Sequence, residues 1–333
     1  MKKLFLSFMF FAVPLFAQNG TSAAEHLLLP VSASLYGMAN ADIAANEGIN
    51  SFFYNPAGVH GDFATITGMF SYMRLIADMG LSYTSVAANF GNYGSMVFSV
   101  KSLEVGDIPE TTIDMPYGTG NFFSPSLVVN SLGYSNTIGN NLSLGGSVNL
   151  IYEKIKAAEA TGVSFDIGFL YKNVGSVPGL SVAGVVKNFG PAMQFDGSDL
   201  LITARDTVGT RGPRIVKIST NEDELPLITE LGVTYKTVQF ENYGVRVSGL
   251  YSGSSYTESE IRLGTEFSYN NQFFLRAGYA FLNSGSDEDR NIYGPAFGAG
   301  VHLNYLFDMK VDYAYRSARY FSSQSIITVQ LGF

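Results

Sequence analysis

Apolar and polar residues alternate with a period of two along most of this chain. In the last segment, Ile327, Val329 and Leu331 fall on one face of an extended strand, whereas Thr328 and Gln330 fall on the other. Such alternation predicts β-strands with one apolar face, and segments of about ten residues are the length of strands that cross a membrane in a barrel. A soluble β-sandwich alternates in the same way, so one strand does not distinguish the two folds.

The number of alternating segments favours the membrane barrel. We expect strands near residues 63–73, 79–90, 94–103, 125–137, 142–153, 162–172, 180–189, 226–236, 243–252, 258–269, 273–282, 296–306, 308–316 and 324–333. Bacterial barrels made from one chain have an even number of antiparallel strands. The sequence therefore predicts an all-β fold, a transmembrane antiparallel β-barrel of about 14 strands.

The links between these strands alternate in length. Tight turns are expected at 91–93, 139–141, 241–242, 270–272 and 307–308, and longer, more polar links at 104–124, 154–161, 190–225, 283–295 and 317–323. Short periplasmic turns that alternate with longer outer loops are typical of outer-membrane barrels. A sandwich has no reason to sort its loops in this way. This topology places both chain termini on the periplasmic side.

The first seventeen residues predict export. Lys2 and Lys3 precede an apolar run from Leu4 to Phe16, and Ala17 provides a small residue before Gln18. This is the outline of a secretory signal peptide, and the run is too short for a membrane anchor. We therefore expect a signal peptide at residues 1–17 and a protein of the bacterial outer membrane. Its expected partners there are membrane lipid and the barrel assembly machinery.

Composition excludes several other classes of function. The chain has no Cys and only three His, which leaves no thiol nucleophile and no set of metal ligands. A net charge of −8 argues against nucleic acid as a partner. A Ser/His/Asp triad around His302 can be drawn on paper, but no serine lies in a nucleophile-elbow motif. We expect no enzymatic activity and no cofactor.

The polar faces of the predicted strands carry charges of both signs. In a barrel these side chains point into the lumen, because a basic residue on the lipid face costs about 2–4 kcal/mol. They can form pairs that brace the lumen or line a permeation pathway, and the mixture of signs favours pairing. The residues are Lys101, Asp166, Lys172, Lys187, Glu230, Lys236, Arg246, Arg262, Glu266, Arg276, Lys310, Asp312 and Arg316.

The link at 190–225 is unusually long for a barrel. It contains four basic residues, Arg205, Arg211, Arg214 and Lys217. A charged outer loop is usually only solvated, but loops beyond about 12–15 residues are often functional. We therefore predict that these four residues contact a partner.

Residues 18–62 do not alternate, and they precede the barrel at 63–333. The stretch from Ser32 to Ala45 is rich in small residues, which permits a short helix, and Asn55-Pro56-Ala57-Gly58 has the chemistry of a turn. An apolar segment of this size before a barrel is expected to pack inside it as a plug, or hatch.

Several short motifs of this N-terminal segment form a recognisable pattern: Gly20-Thr21-Ser22, Leu28-Leu29-Pro30, Ser32-Ala33, Gly37-Met38, Ala41, Ala44-Ala45 and Asn55-Pro56-Ala57-Gly58. With them the segment resembles that of the PorV/PorQ family of outer-membrane barrels, which are related to the FadL fatty-acid transporters. The likeness departs from the family pattern at Ser34, Ala39 and Glu47-Gly48.

The resemblance implies two different functions. PorV-like and PorQ-like barrels look like components of type IX protein secretion, as shuttles for secreted cargo domains or as accessory parts. FadL-like barrels instead pass hydrophobic molecules such as long-chain fatty acids through the wall and the hatch. The long outer loop favours the secretion role, with cargo domains or other secretion components as partners, and the FadL-like role is the alternative.

The terminal Phe333 provides a test of assembly. It ends the last predicted strand, which must pair with the first so that no strand edge faces lipid. Deletion of Phe333 should lower the amount of protein in the outer membrane, measured by membrane fractionation and immunoblotting, whereas Phe333→Tyr should assemble normally. A normal amount of the deletion variant would show that this residue is not an assembly signal.

Overall fold

The computed structural model describes residues 22–60, 64–204, 213–237, 242–282, 292–304, 308–320 and 322–333. The predicted signal peptide at 1–17 lies outside these residues. Within them, the chain forms one large antiparallel sheet, an N-terminal segment inside that sheet, and short strands in the loops at one end.

Fourteen strands form the wall of a barrel. They are β1 (Ile66–Arg74), β2 (Gly80–Asn89), β3 (Ser95–Glu104), β4 (Ser126–Ile138), β5 (Leu142–Ile155), β6 (Ala158–Lys172), β7 (Leu180–Phe189), β8 (Ile228–Lys236), β9 (Tyr243–Ser254), β10 (Glu260–Tyr269), β11 (Phe273–Leu282), β12 (Tyr293–Asn304), β13 (Asp308–Ala318) and β14 (Gln324–Gly332).

The wall is closed. Each strand pairs with its sequence neighbours, and the last strand pairs with the first, from Thr67 opposite Gly332 to Arg74 opposite Ser325. Closure removes the free edges that would leave backbone groups unpaired in lipid. The predicted fold class, a 14-stranded antiparallel barrel, is confirmed.

The two faces of the wall meet different surroundings. In β1, Phe70 and Tyr72 are exposed on the outside, whereas Met69, Ser71 and Met73 are buried inside. The same alternation runs through the other wall strands and leaves an apolar outer surface, as a barrel in lipid requires. Among the described residues no helix has the length and apolar character needed to span a membrane.

The barrel has a long-loop end and a short-turn end. Links 105–125 and 190–227 are the long ones, as predicted. The link predicted at 154–161 is wrong, because β5 and β6 continue to Ile155 and Ala158 and leave only residues 156–157 as a turn. The two strands of this hairpin remain hydrogen-bonded beyond the residues whose apolar and polar side chains alternate.

Residues 22–60 lie inside the barrel and form a hatch. The chain starts near the long-loop end, where the backbone N–H of Ala23 donates to the carbonyl of Glu224. It descends to the short-turn end, where the ring of His60 contacts Ser95, and then enters β1. Phe333 pairs with Ile66 at this same end of the barrel. The first residues of the chain lie outside the described part, and the periplasmic position of both chain ends stays a prediction.

The predicted turn at Asn55–Gly58 is a capped turn of 3-10 helix. The side-chain oxygen of Asn55 accepts a hydrogen bond from the backbone N–H of Ala57, and Pro56 occupies the first helical position. Pro suits that position because its missing N–H would have no helical partner there. The amide of Asn55 also donates to the carbonyl of Phe169 in β6, at 3.1 Å, and so ties the turn to the wall.

Glycines in the wall allow the hatch backbone to lie directly against the sheet. A Cβ at Gly145 would stand 2.5 Å from the backbone nitrogen of Ala57, and Gly37 meets Gly298 with no side chain between them. Seven strands each carry one glycine that lies against a residue of the hatch. The pairs are Gly133 with Phe52, Gly145 with Pro56, Gly168 with Asn55, Gly232 with Ile43, Gly264 with Met38, Gly278 with Ala39 and Gly298 with Gly37. The hatch is thus fitted to the wall by shape.

Substitution of Gly145 tests this fit. The Cβ of Gly145→Ala collides with hatch backbone, so the free energy of unfolding should fall by about 1–3 kcal/mol. Gly68→Ala is the matched control, because Gly68 faces outward from β1 and a Cβ there meets nothing within 4 Å. Urea unfolding in detergent micelles measures both. Equal stability of the two variants would contradict the close seating of the hatch.

Candidate functional site

Five charged side chains form a chain from the hatch across the wall. The carboxylate of Asp42 in the hatch contacts Arg246 at 3.1 Å, and Arg246 contacts Glu266 at 2.8 Å. Glu266 lies 2.6 Å from Arg276, which lies 2.5 Å from Asp312. All are largely buried, and buried charges are tolerated when paired in this way. The chain anchors the hatch to strands β9, β10, β11 and β13.

Asp42 is held by hydroxyl groups as well as by Arg246. The hydroxyls of Thr234 and Ser248 both donate to its carboxylate at 3.0 Å. Asp42 is only 1% exposed. Its negative charge is therefore stabilised by these partners rather than by water. The lumen side of β8 and β9 thus binds the Asp42 carboxylate of the hatch.

A second group of charges surrounds Glu230 on β8. Lys187 contacts its carboxylate at 3.0 Å and Arg262 contacts it at 3.2 Å. Arg262 also contacts Glu260 at 2.8 Å. These four side chains face the lumen at its long-loop half.

The other predicted lumen charges use different partners. Asp166 accepts hydrogen bonds from three neutral donors, Ser147, Asn149 and the backbone N–H of Asn188, at 2.8–2.9 Å. Arg316 donates to the carbonyl of Gly294 and lies 4.7 Å from the centre of the Tyr293 ring.

Charge and polarity continue at the short-turn end of the lumen. Glu47 of the hatch pairs with Lys172 of β6 at 2.9 Å. A gap of about 120 Å³ lies between the hatch and the wall, and Glu47, Thr67, Lys310 and Gln330 line it.

A larger cavity of about 300 Å³ lies on the long-loop side of the hatch. The hatch contributes the aromatic rings of Phe52, Phe53 and Tyr54 and the apolar residues 27–30. The wall contributes both apolar and charged side chains, among them Val129, Tyr83, Lys101, Lys187, Asp166, Glu230, Arg262 and Arg316. The cavity is therefore amphipathic, with a cluster of rings among charged groups.

Residues 22–31 form a strap beside this cavity. The ammonium of Lys101 donates to the carbonyls of Leu27 and Leu29, at 3.3 and 2.7 Å. The buried ring of His26 lies 3.1 Å from the carboxylate of Glu153 on β5. Both contacts fix the strap to the wall near the long-loop end.

Tyr54 connects the strap to the rest of the hatch. Its hydroxyl accepts hydrogen bonds from the backbone N–H groups of Val31 and Ser32 at 3.2 Å. Burial raises the pKa of Tyr54 above its ordinary value, so the hydroxyl stays neutral at physiological pH.

The predicted outer-loop residues are apart from the cavity. Arg214 and Lys217 lie on an exposed hairpin, Leu201–Ala204 paired with Arg214–Lys217, and Lys217 pairs with Asp196. Arg205 and Arg211 lie outside the described residues. The plug residues Gly37, Met38, Asn55, Pro56, Ala57 and Gly58 are all inside the barrel against the wall.

Three residues at the site were not predicted from the sequence: Asp42, Phe53 and Tyr83. Asp42 is the single acidic residue in the small-residue stretch from Ser32 to Ala45, and this was the available signal. Tyr83 shares the inward face of β2 with Ser85 and Leu81, and the rule of alternation could have found it. No signal for Phe53 exists outside the folded hatch.

Comparisons with known proteins identify the fold. No protein-family model matches the chain, and no curated protein sequence is significantly similar to it. Solved structures are similar. One is described as the CymD monoaromatic hydrocarbon channel, with a TM-score of 0.57 and 13% identity, covering 91% of this chain and 97% of that one.

Two other solved structures share the architecture. The toluene transporter TodX of P. putida has a TM-score of 0.55 and 13% identity, covering 91% of this chain and 98% of its own. A FadL homologue from Pseudomonas aeruginosa has a TM-score of 0.50 and 11% identity, with coverages of 91% and 98%. At these identities the likeness establishes the fold.

The fold is therefore that of the FadL-like barrels, and the bacterial outer membrane stays the predicted location. Two of these neighbours are described as a channel and a transporter. The part of the resemblance that pointed to PorV/PorQ and type IX secretion finds no support among these matches.

Neutralising Asp42 should loosen the hatch. Asp42→Asn keeps an acceptor for Thr234 and Ser248 but leaves Arg246 with Glu266 as its one ion-pair partner among the described residues, beside the carbonyl of Ala45. Breaking a buried ion pair costs about 3–5 kcal/mol, and we expect a loss near the lower end of that range because Glu266 remains. Urea unfolding measures it, with the exposed Asp114→Asn as control. Wild-type stability of Asp42→Asn would show that the pair does not anchor the hatch.

Proposed function

We propose that this protein is an outer-membrane channel for small, mostly apolar molecules, which enter the cavity at the long-loop side of the hatch. The observation that carries the proposal is the cavity itself, about 300 Å³ within a FadL-like barrel. Ligand pockets begin at about this volume and are lined mainly by hydrophobic and aromatic side chains with a few polar groups.

The composition of the cavity supports an apolar ligand with restricted orientation. Phe52, Phe53 and Tyr54 present rings from one short stretch of the hatch, and Phe53 and Tyr54 pack edge to face with centroids 5.1 Å apart. Rings held in this way offer flat apolar surface at little further cost in side-chain entropy. Two of the solved neighbours are described as a monoaromatic hydrocarbon channel and a toluene transporter, which supports the same class of ligand here.

The route beyond the cavity involves the hatch. The hatch separates the cavity from the polar gap beside Glu47 and Gln330 at the short-turn end. The glycine contacts hold it against β4–β6, β8 and β10–β12, and the Asp42 ion pair holds it against β9. Release toward the periplasm therefore needs a rearrangement of the hatch, and we place it at the gap between the hatch and β1, β13 and β14.

A role in protein secretion is the competing hypothesis, and the exposed hairpin favours it. Leu201, Ile202, Ile215, Val216 and Ile218 are all exposed on this projection. Exposed apolar residues at this density are typical of a protein contact. The hairpin carries Arg214 and Lys217, which could steer an acidic partner.

Filling the cavity distinguishes the two hypotheses. Ser131 of β4 lines the cavity, so Ser131→Trp should reduce uptake of radiolabelled toluene by cells that express the protein to the level of cells without it. Asn130→Trp places the same ring one residue away on the outer face of β4, where an aromatic ring suits the membrane. This control should transport normally.

Replacement of residues 203–220 by a short Gly/Ser link is the complementary change. A channel should keep toluene uptake without this hairpin, because the cavity lies below it. If instead the replacement abolishes display of secreted proteins while Ser131→Trp has no effect on uptake, the secretion hypothesis replaces the channel.

A further inference from the structure

Tyr83 and Lys101 form a polar pair at the ring-lined part of the cavity. They are directly opposite each other on β2 and β3, both on the lumen side. Side chains in such a position have Cβ atoms about 4.5–5.5 Å apart. Both are almost completely buried, at 2% and 3% exposure. This pair and the ring of Phe53 are the polar and apolar parts of one site.

Lys101 and its neighbour Lys187 have different partners for their charges. Lys187 pairs with Glu230, whereas the described residues place no carboxylate within 4 Å of the Lys101 ammonium. That ammonium is held by the carbonyls of Leu27 and Leu29 and lies 4.2 Å from the centre of the Phe53 ring. Dipoles and a ring face compensate a buried cation only in part. An anion near it would be favourable.

The hydroxyl of Tyr83 is buried and has no hydrogen-bond partner in the part of the chain that the structure describes. The hydroxyls of Ser85 and Ser99 lie close to it, but among the described residues no acceptor or donor completes a hydrogen bond with it. A buried hydroxyl without a partner destabilises the folded protein. The group is therefore available to a ligand, and it stands beside a cation.

We propose that the Tyr83–Lys101 pair binds the carboxylate of a small aromatic acid whose ring lies among Phe52, Phe53 and Tyr54. This inference rests on the proposed function and gives the channel a narrower ligand class, aromatic acids in place of plain hydrocarbons. The carboxylate accepts a hydrogen bond from the Tyr83 hydroxyl and lies in the field of Lys101, with Lys187 near the same ring at 5.6 Å.

The arrangement also explains why a hydrocarbon is the poorer ligand. A ring without an acceptor leaves the Tyr83 hydroxyl unpaired and adds no charge to offset Lys101. A site with unpaired buried polar groups discriminates strongly against an analogue that lacks the matching group. The cavity should therefore select by the polar group and tolerate changes in the ring.

Equilibrium dialysis of the purified, detergent-solubilised protein with radiolabelled benzoate, benzyl alcohol and toluene tests this. A charged hydrogen bond corresponds to roughly tenfold or more in affinity, so benzoate should bind at least about tenfold more tightly than toluene. Tyr83→Phe should lower the ratio of benzoate to toluene affinity by a similar factor. Lys101→Gln, which keeps N–H donors for the strap, should lower it as well.

A matched control separates this effect from misfolding. Tyr134→Phe removes a hydroxyl from the lipid-facing side of β4, where it donates to the carbonyl of Tyr93, and should leave the ratio unchanged. Loss of heat-modifiable migration on gels would reveal a variant that is not folded.

Three results would overturn the inference. If toluene binds and benzoate binds no better, the polar subsite is wrong while the channel stands. If benzyl alcohol binds as tightly as benzoate, the charge of Lys101 does not contribute to recognition. If neither benzoate nor toluene binds and toluene uptake is also absent, both the inference and the proposed function are wrong.

Discussion

The contact between the hatch and the inner wall is the interaction on which the rest of this structure depends. Inward side chains can just fill the interior of a barrel of about eight strands. A closed sheet of fourteen strands encloses more space than its own inward side chains fill. The chain occupies the space with residues 22–60, and close contact is possible because wall positions such as Gly145 and Gly298 have no side chain. The cavity exists where this contact stops.

The pairing of charged side chains in the lumen also depends on the position of the hatch. Once the hatch lies inside, the polar face of the wall is no longer in water, so the inward charges need partners. The barrel side near β9–β13 meets this need with ion pairs that include Asp42 of the hatch. On the side near β2 and β3, Lys101 donates to backbone carbonyls of the strap, and the described residues there place no carboxylate beside it. The lumen is therefore asymmetric, with ion pairs near β9–β13 and a cation held by the strap near β2 and β3.

Much of the wall could be predicted from the sequence. Successive residues of a barrel strand face lipid and the lumen in turn, and the alternation of apolar and polar residues shows which face each residue is on. The inward position of Arg246, Glu266 and Arg276 follows from it. Their pairing does not, because it depends on the register between strands and on Asp42, which lies in a segment without periodicity. The period also fails at a β-bulge in β7, where Lys187 and Asn188 both face inward and Asn188 has a positive φ of 61°.

The position of the last strand has a consequence for how the molecule assembles. The backbone N–H of Ala33 donates to the hydroxyl of Thr328, and the hydroxyl of Tyr36 donates to the side chain of Gln324, both on β14. Thr328 also contacts Ser71 across the seam, at 2.6 Å. The strand that completes the ring of backbone pairing is thus also the strand that receives the hatch. The contacts that join the first strand to the last and those that seat the interior segment therefore share one strand, and a chain cut short before β14 would lose both.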